Sequence, residues 1–243
     1  MSEERSQALV IGAGGGIGGA MVERWVQDER FDRIWSVSRA VPDVTQGGAL
    51  KSLVTDHSEA DIQANAGKIL EHSPDLSRIV IALGTLHGDN YQPEKSLEAL
   101  SADAMLEVAR VNYVLPMLWL AALAKGLRKV PDCRIAVLSA RVGSIGDNGL
   151  GGWYSYRSAK AALNMGLRSA AIELARRAKG VKLIAYHPGT VDTGLSAPFQ
   201  RGVPEGKLFT REHAAACLDG VIESQRADGE LAYLDWAGNS IPW

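Results

Sequence analysis

The chain alternates between short apolar runs and longer stretches in which apolar residues recur every three or four positions. The short runs are Gln7–Ile11, Arg33–Ser38, Ser52–Thr55, Arg78–Leu83, Arg134–Leu138, Val181–Tyr186 and Leu231–Leu234, and they predict strands. The longer stretches predict helices over Gly16–Asp28, Glu59–Glu71, Ala102–Arg128, Tyr154–Lys179 and Arg211–Ser224. Pro42, Gly47 and Gly48 argue against a helix between Ala40 and Leu50. Residues 139–153 read as a loop, and Asp192–Leu208 as an excursion bearing glycine and proline.

Strands that alternate with helices along the whole chain predict an α/β protein with a parallel sheet covered on both faces. The expectation is one doubly wound domain over residues 1–243 with a mostly seven-stranded sheet, since no repeat, low-complexity tract or linker divides the chain. Its 243 residues suffice to bury a full core.

Composition narrows the classes of function. Charged residues make up 22% and apolar residues 46%, as in an ordinary soluble protein, and a net charge of -2 gives no reason to expect nucleic acid or an acidic membrane as partner. Val111–Ala124 is nearly all apolar, but it is short for a membrane span and holds Asn112 and Pro116, so a core or interface helix is expected. Cys133 and Cys217 match no metal or redox spacing, the five histidines show no metal spacing, and the polar, acidic N-terminus does not read as a signal peptide. No metal and a cytoplasmic location are expected.

The first strand runs into Gly12-Ala-Gly-Gly-Gly16-Ile-Gly18 at the start of a helix. Glycines there allow a tight turn and a close approach of the backbone, and they present helix N-terminal amides to a pyrophosphate. No acidic residue stands at the end of the second strand to hold a ribose 2′-hydroxyl; Ser38 and Arg39 stand there instead. An arginine can hold a 2′-phosphate by a charge-assisted fork, so NADP(H) is favoured over NAD(H).

Tyr156 and Lys160 are four residues apart on a predicted helix and so share one face. A nearby ammonium stabilises a phenolate and makes the tyrosine a usable proton donor near neutrality. By spacing alone the pair could equally be a surface tyrosine and lysine; the glycine loop and Arg39 change its weight.

With the glycine loop, Asn112 and Tyr156-xxx-Lys160 in that order, the chain resembles the short-chain dehydrogenase/reductase family over nearly its whole length, and most of all the carbonyl reductases grouped with sniffer and the C-factor proteins. Leu-His-Gly (86–88), Pro-Glu-Lys-Ser-Leu (93–97), Gly-Ser-Ile-Gly-Asp (143–147), Gly-Gly-Trp-Tyr-Ser-Tyr-Arg (151–157) and the final Ile-Pro-Trp (241–243) carry the closer likeness.

The resemblance implies a Rossmann fold and an NADPH-dependent reduction of a ketone, aldehyde or quinone. It implies Tyr156 as general acid, Lys160 as the group that holds the nicotinamide ribose and lowers the tyrosine pKa, and Asn112 as a brace for the long helix that holds a water. It further implies cofactor contacts at Gly12, Gly14, Gly15, Gly16, Ile17, Gly18, Ser38, Arg39, Asp56, His57, Leu83, Gly84, Pro188, Gly189, Val191 and Thr193, with a substrate flap at about 192–208. The long helix and the helix after Tyr156 pair across a dimer in the family, so a homodimer or homotetramer is expected.

Two departures bear on chemistry. The family's Asn-Asn-Ala-Gly appears as Ile81-Ala-Leu-Gly84, keeping only the glycine. The position of the family's catalytic serine, three residues before Gly143, is Ala140. Ser139, Ser144 or neither supplies that hydroxyl; Ser139 is the expectation carried forward. A regulatory, C-factor-like protein with decayed reductase chemistry is the alternative that Ala140 motivates.

Overall fold

A computed structural model describes residues 6–41 and 48–243 of the chain. The connection that carries Pro42 and Gly47 lies largely outside the described residues. Strands β1 (Ser6–Ile11), β2 (Phe31–Ser38), β3 (Leu50–Val54), β4 (Leu76–Ile81), β5 (Cys133–Leu138), β6 (Val181–His187) and β9 (Leu231–Asp235) form one seven-stranded sheet in the order β3-β2-β1-β4-β5-β6-β9. Every pairing in it is parallel. Two two-residue strands, β7 (Thr190–Val191) and β8 (Leu208–Phe209), pair with each other at the base of the 192–208 excursion.

Helices α1 (Gly16–Val26) and α6 (Arg211–Ser224) cover one face, while α2 (Glu59–His72), α4 (Leu115–Ala124) and α5 (Tyr154–Arg177) cover the other. Strand alternation decides which residues meet them. In β1, Ala8 and Val10 face Met21, Trp25 and Leu218, whereas Leu9 and Ile11 face the core that holds Ile62, Trp119 and Leu163. Strand centres buried on both faces are apolar at successive positions, which is why Ala8–Ile11, Ile79–Ile81 and Ile135–Val137 read as runs rather than alternations, whereas Arg78 and Arg134 near the strand starts pair with Glu223.

The structure corrects several predicted boundaries. β3 starts at Leu50, not Ser52, and β4 spans Leu76–Ile81 rather than Arg78–Leu83, because Leu83 leaves the sheet for the cleft described below. α1 ends at Val26, short of Asp28, and α5 at Arg177, short of Lys179.

The long helix predicted over Ala102–Arg128 is interrupted. It comprises α3 (Ala102–Ala109), a π-turn at Arg110–Val114 and α4, and beyond Ala124 it tightens into a 3₁₀ turn at Gly126–Lys129. Pro116, in the first turn of α4, has no N–H to give the Asn112 carbonyl four residues back. A π-turn absorbs that misfit, and such bulges gather at functional sites. The run Ala102–Ala124 is long and apolar enough to cross a membrane, but Leu115, Trp119, Leu120 and Leu123 are buried in the sheet's own core.

Candidate active site

β1 and β4 are neighbours whose connections leave in opposite directions, and in such sheets the crevice at the carboxyl ends of the strands is where ligands bind. A cleft of about 640 Å³ opens there. Gly14, Gly15, Gly16, Ile17 and Gly18 line one end, and Ser139, Tyr156 and Lys160 the other. Leu83, Gly84, Pro188, Gly189, Val191 and Thr193 also line it. Gly12, Ser38, Arg39, Asp56, His57 and Asn112 stand outside this lining.

Packing dictates the glycine loop. Gly12 has φ +88°, and a Cβ on it would come within 2.7 Å of the Ala82 carbonyl oxygen. A Cβ on Gly18 would lie 2.2 Å from the Gly12 oxygen, so α1 seats directly on the turn. No side chain caps α1 and no acidic residue lies in its first turn, which leaves its N-terminal amides and positive dipole end facing the cleft. A Cβ on Gly16 would meet Thr193 Cγ2 at 2.5 Å, which places the start of the flap against this loop.

The end of β2 meets the loop at Ser38, whose Cβ lies 3.4 Å from the Cβ position on Gly14. The Ser38 hydroxyl donates to the Ala40 carbonyl, and Arg39 is exposed. Asp56 accepts the Ser58 N–H at 2.7 Å, which holds its carboxyl below the usual range. His57 has φ +61°, and its Nδ1 accepts the Trp119 indole N–H at 3.1 Å. Burial, followed by the Arg39 and Arg110 guanidinium groups, lowers the His57 pKa against the opposing pull of the Asp61 and Asp56 carboxylates.

Asn112 is wholly buried and locked. Its Nδ2 donates to the carbonyls of Thr85, at 2.7 Å, and Val108, at 2.9 Å, while its Oδ1 accepts the Thr85 N–H at 3.2 Å. The side chain thus ties the end of β4 to the π-turn, and Oδ1 lies 3.3 Å from the Cβ position on Gly84.

Tyr156 and Lys160 share one face of α5, with Nζ 5.7 Å from the centre of the phenol ring. Lys160 is buried and donates to the Leu138 carbonyl at 2.7 Å. Burial pulls its pKa down to about 7, so its charge is poised near neutrality. Burial, followed by the nearby Tyr233, pushes the Tyr156 phenol up, although part of the side chain stays open to the cleft.

Ser139 does line the cleft, but its hydroxyl donates to Asn164 Oδ1 at 2.7 Å. Ser144 is buried, and its oxygen accepts the Asp147 N–H at 3.0 Å. Tyr233 donates to the Ala140 carbonyl at 2.7 Å and sits against the same group. The position that fits the family serine is therefore a methyl backed by a closed polar cluster. His187 lines the cleft too, with an unpartnered buried Nδ1, and burial followed by Arg141 lowers its pKa to about 4.

Sequence reasoning missed Glu94, which is buried against the first turn of α5. Its carboxylate accepts the Ser155 N–H at 3.2 Å and the Ser155 hydroxyl, and its carbonyl accepts the Trp153 N–H at 2.5 Å. It thereby caps the helix that carries Tyr156, whose own N-cap residue, Trp153, is left-handed at φ +51° and gives no side-chain cap. A bulky residue there costs about 1–3 kcal/mol and persists where its surroundings over-determine it. A glutamate in a loop reads as solvated, and only its place in Pro-Glu-Lys-Ser-Leu set it apart.

This arrangement can bind a dinucleotide along the glycine loop and deliver a proton from a phenol at the opposite end. No group of three or more histidine, cysteine, aspartate or glutamate side chains suited to a metal occurs among the described residues.

Residues 6–203 match the family described as short chain dehydrogenase, and the chain belongs to that family. It is 32% identical over 139 residues to C-signal of Myxococcus xanthus, a match covering 57% of this chain and 78% of that protein. Over 239 residues it is 28% identical to 1-hydroxy-2-glutathionyl-2-methyl-3-butene dehydrogenase of Rhodococcus sp. strain AD45, covering 98% of this chain and all of the relative. The solved structure of a short-chain dehydrogenase/reductase from Burkholderia multivorans with bound NADP superposes with a TM-score of 0.80 at 25% identity, covering 98% of this chain and 100% of that one. C-signal bears out the resemblance to the C-factor group.

Proposed function

We propose that the chain is an NADPH-dependent reductase of small carbonyl compounds, with Tyr156 as the proton donor and Lys160 as the cation beneath it. The observation that carries this reading is the placement of Tyr156 and Lys160 at one end of a single cleft whose other end is an uncapped, glycine-lined helix N-terminus. The NADP-bound Burkholderia structure supports the cofactor.

The residues present fit that cofactor: the Gly14, Gly16, Ile17 and Gly18 amides toward the pyrophosphate, the exposed Arg39 toward the 2′-phosphate, and Asp56 and His57 toward the adenine, while the Ser38 hydroxyl is already given to the Ala40 carbonyl. Leu83, Gly84, Pro188, Gly189, Val191 and Thr193 border the nicotinamide end. When bound, NADPH supplies a hydride to the carbonyl carbon. The chain supplies the proton: the Tyr156 hydroxyl gives its hydrogen to the carbonyl oxygen as negative charge develops there. A charged Lys160 lowers the cost of the resulting phenolate, and it also holds the nicotinamide ribose. Asn112 keeps the loop after β4 and the π-turn in register beside Lys160. With Ala140 in place of a hydroxyl, the oxyanion has one donor fewer, a loss on the order of 10²–10³ in rate by comparison with other sites.

A panel of ketones, aldehydes and quinones should be reduced faster with NADPH than with NADH. Arg39→Ala should erase that preference by about tenfold or more, the worth of one charge-assisted phosphate contact. Retention of the preference in the variant would remove Arg39 from the site. Ala140 and the engaged Ser139 favour a second reading, a nucleotide-binding regulatory protein with little reductase activity. A chain that binds NADPH tightly yet consumes no carbonyl in the panel would establish that reading in place of the first.

Assembly as a homodimer or homotetramer belongs to the same proposal. Met105, Leu106, Val114, Met165 and Ile172 are exposed on or beside α3 and α5, more apolar surface than these helices need in isolation. The expected solution mass at micromolar concentration is a multiple of the chain's, and a monomer mass there would count against it.

A further inference from the structure

Resting on the cofactor reading above, we propose that Arg211 is a further cofactor-binding residue, whose guanidinium grips the pyrophosphate of the dinucleotide from the side opposite the glycine loop. The loop's own supply of positive charge is small beside that task. Each phosphate of the pyrophosphate carries a full negative charge, whereas the start of a helix offers the equivalent of about half a positive one. The Gly15 N–H, moreover, is given to the Gly12 carbonyl at 3.0 Å. Among the described residues, the lysine and arginine side chains that line the cleft are Lys160 and Arg211, and Lys160 stands at the far end beside Tyr156.

The fold carries Arg211 to the loop. α1 and α6 both run against the parallel strands and share one core through Met21, Trp25 and Leu218, so both begin at the carboxyl edge of the sheet. Strands β7 and β8 close the base of the 192–208 excursion, where the Asp192 N–H donates to the Phe209 carbonyl at 2.8 Å. Thr210 then caps α6 by accepting the His213 N–H at 3.2 Å, which makes Arg211 the first helical residue. Its stem lies on the glycine loop, with Cδ 3.3 Å from the Cβ position on Gly16.

The head group is only half committed. Nε donates to the Asp192 carbonyl at 3.1 Å, which orients the guanidinium, and the terminal nitrogens make no hydrogen bond or ion pair among the described residues. The neighbouring carboxylates are turned elsewhere. Asp192 Oδ1 accepts from Gln200 Nε2 at 2.9 Å, and the Glu212 carboxyl is held below its usual range first by its own N–H and then by the Thr210 hydroxyl. A buttressed stem and an engaged Nε leave the two terminal nitrogens as a planar fork, the shape that matches phosphate oxygens. Because Nε holds the carbonyl at the start of the flap, a phosphate on the other nitrogens ties that segment to the cofactor.

The test is binding, read by fluorescence titration of the dinucleotides. Arg211→Gln should weaken NADPH and NADH alike, each by about tenfold or more, the worth of one charge-assisted contact. That pattern separates it from Arg39, whose removal acts on the 2′-phosphate and so on NADPH. Adenosine 2′-monophosphate, which has no pyrophosphate, should still displace NADPH with an affinity within about twofold of its wild-type value. Arg211→Lys, which keeps the charge and loses the fork, should fall between wild type and Arg211→Gln, and it carries the same comparison where melting curves show that Arg211→Gln has not folded. Unchanged NADPH and NADH affinities would overturn the proposal. An equal loss for adenosine 2′-monophosphate would overturn it too, because a ligand without pyrophosphate then reports a disturbed fold. A chain that binds NADPH through Arg211 yet reduces no carbonyl would leave this inference standing and remove the reductase reading. A wild-type chain that binds neither dinucleotide would overturn both.

Discussion

Tyr156→Phe is expected to lower carbonyl reduction by about 10³-fold while NADPH still binds, within the range seen when a positioned general acid is removed. The loss should be deep because no neighbour can take over. The Ser139 hydroxyl is given to Asn164, and Ala140 has none. His187 is held neutral near pH 7 by a pKa lowered to about 4, so it carries no extra proton to give. Rates of NADPH oxidation and a fluorescence titration of NADPH separate the two effects. Retention of more than about a tenth of the wild-type rate would move proton donation to another group.

Lys160→Met should lower turnover by at least about 10²-fold and, by itself, change stability in a pH-dependent way. The amine titrates at 10.5 ordinarily and at about 7 in this fold, because burial penalises its charge. Between those values the unfolded chain holds a proton that the folded chain does not. Stability contributed at this position therefore falls as pH drops from 10.5 towards 7 and stays at its minimum below. Methionine removes that cost. The variant's melting temperature, relative to wild type, should be roughly 3–8 °C more favourable at pH 6.5 than at pH 9, from the linkage per pKa unit and the entropy of unfolding of a domain this size. The lost hydrogen bond to Leu138 is independent of pH, so the difference between the two pH values isolates the buried charge. An equal shift at both would mean that Lys160 keeps its ordinary pKa.

The strands were legible because their centres, buried on both faces, are apolar at successive positions, and the helices because their apolar residues keep a 3.6 period. α6 was legible to the residue: Thr210 caps it through the His213 N–H and Gln225 leaves the helical region at the other end. Boundaries failed where an apolar residue served another purpose. Leu83 looks like the end of β4 but lines the cleft, and Leu50 starts β3 behind a glycine-rich connection. The break inside Ala102–Arg128 was foreshadowed by Pro116, yet a proline alone does not say whether a helix kinks, ends or widens into a π-turn.

The site divides in the same manner. Tyr156, Lys160 and the glycine loop stood out because local spacing dictates their chemistry: four residues on a helix, and glycines between a strand and a helix. Glu94 and Tyr233 did not, because they act across 61 and 93 residues, and a glutamate in a loop or a tyrosine in a strand looks the same whether or not it meets a partner.

The sequence by itself determined the α/β class, the parallel sheet, the glycine loop between β1 and α1 and the Tyr156–Lys160 pair on one helix face, since each depends on residues close together along the chain. Only the tertiary structure decided that Ser139 turns to Asn164 and that Glu94 caps the helix bearing Tyr156. Those outcomes depend on which distant groups share one buried space, and there a hydrogen bond made in one direction is unavailable in another.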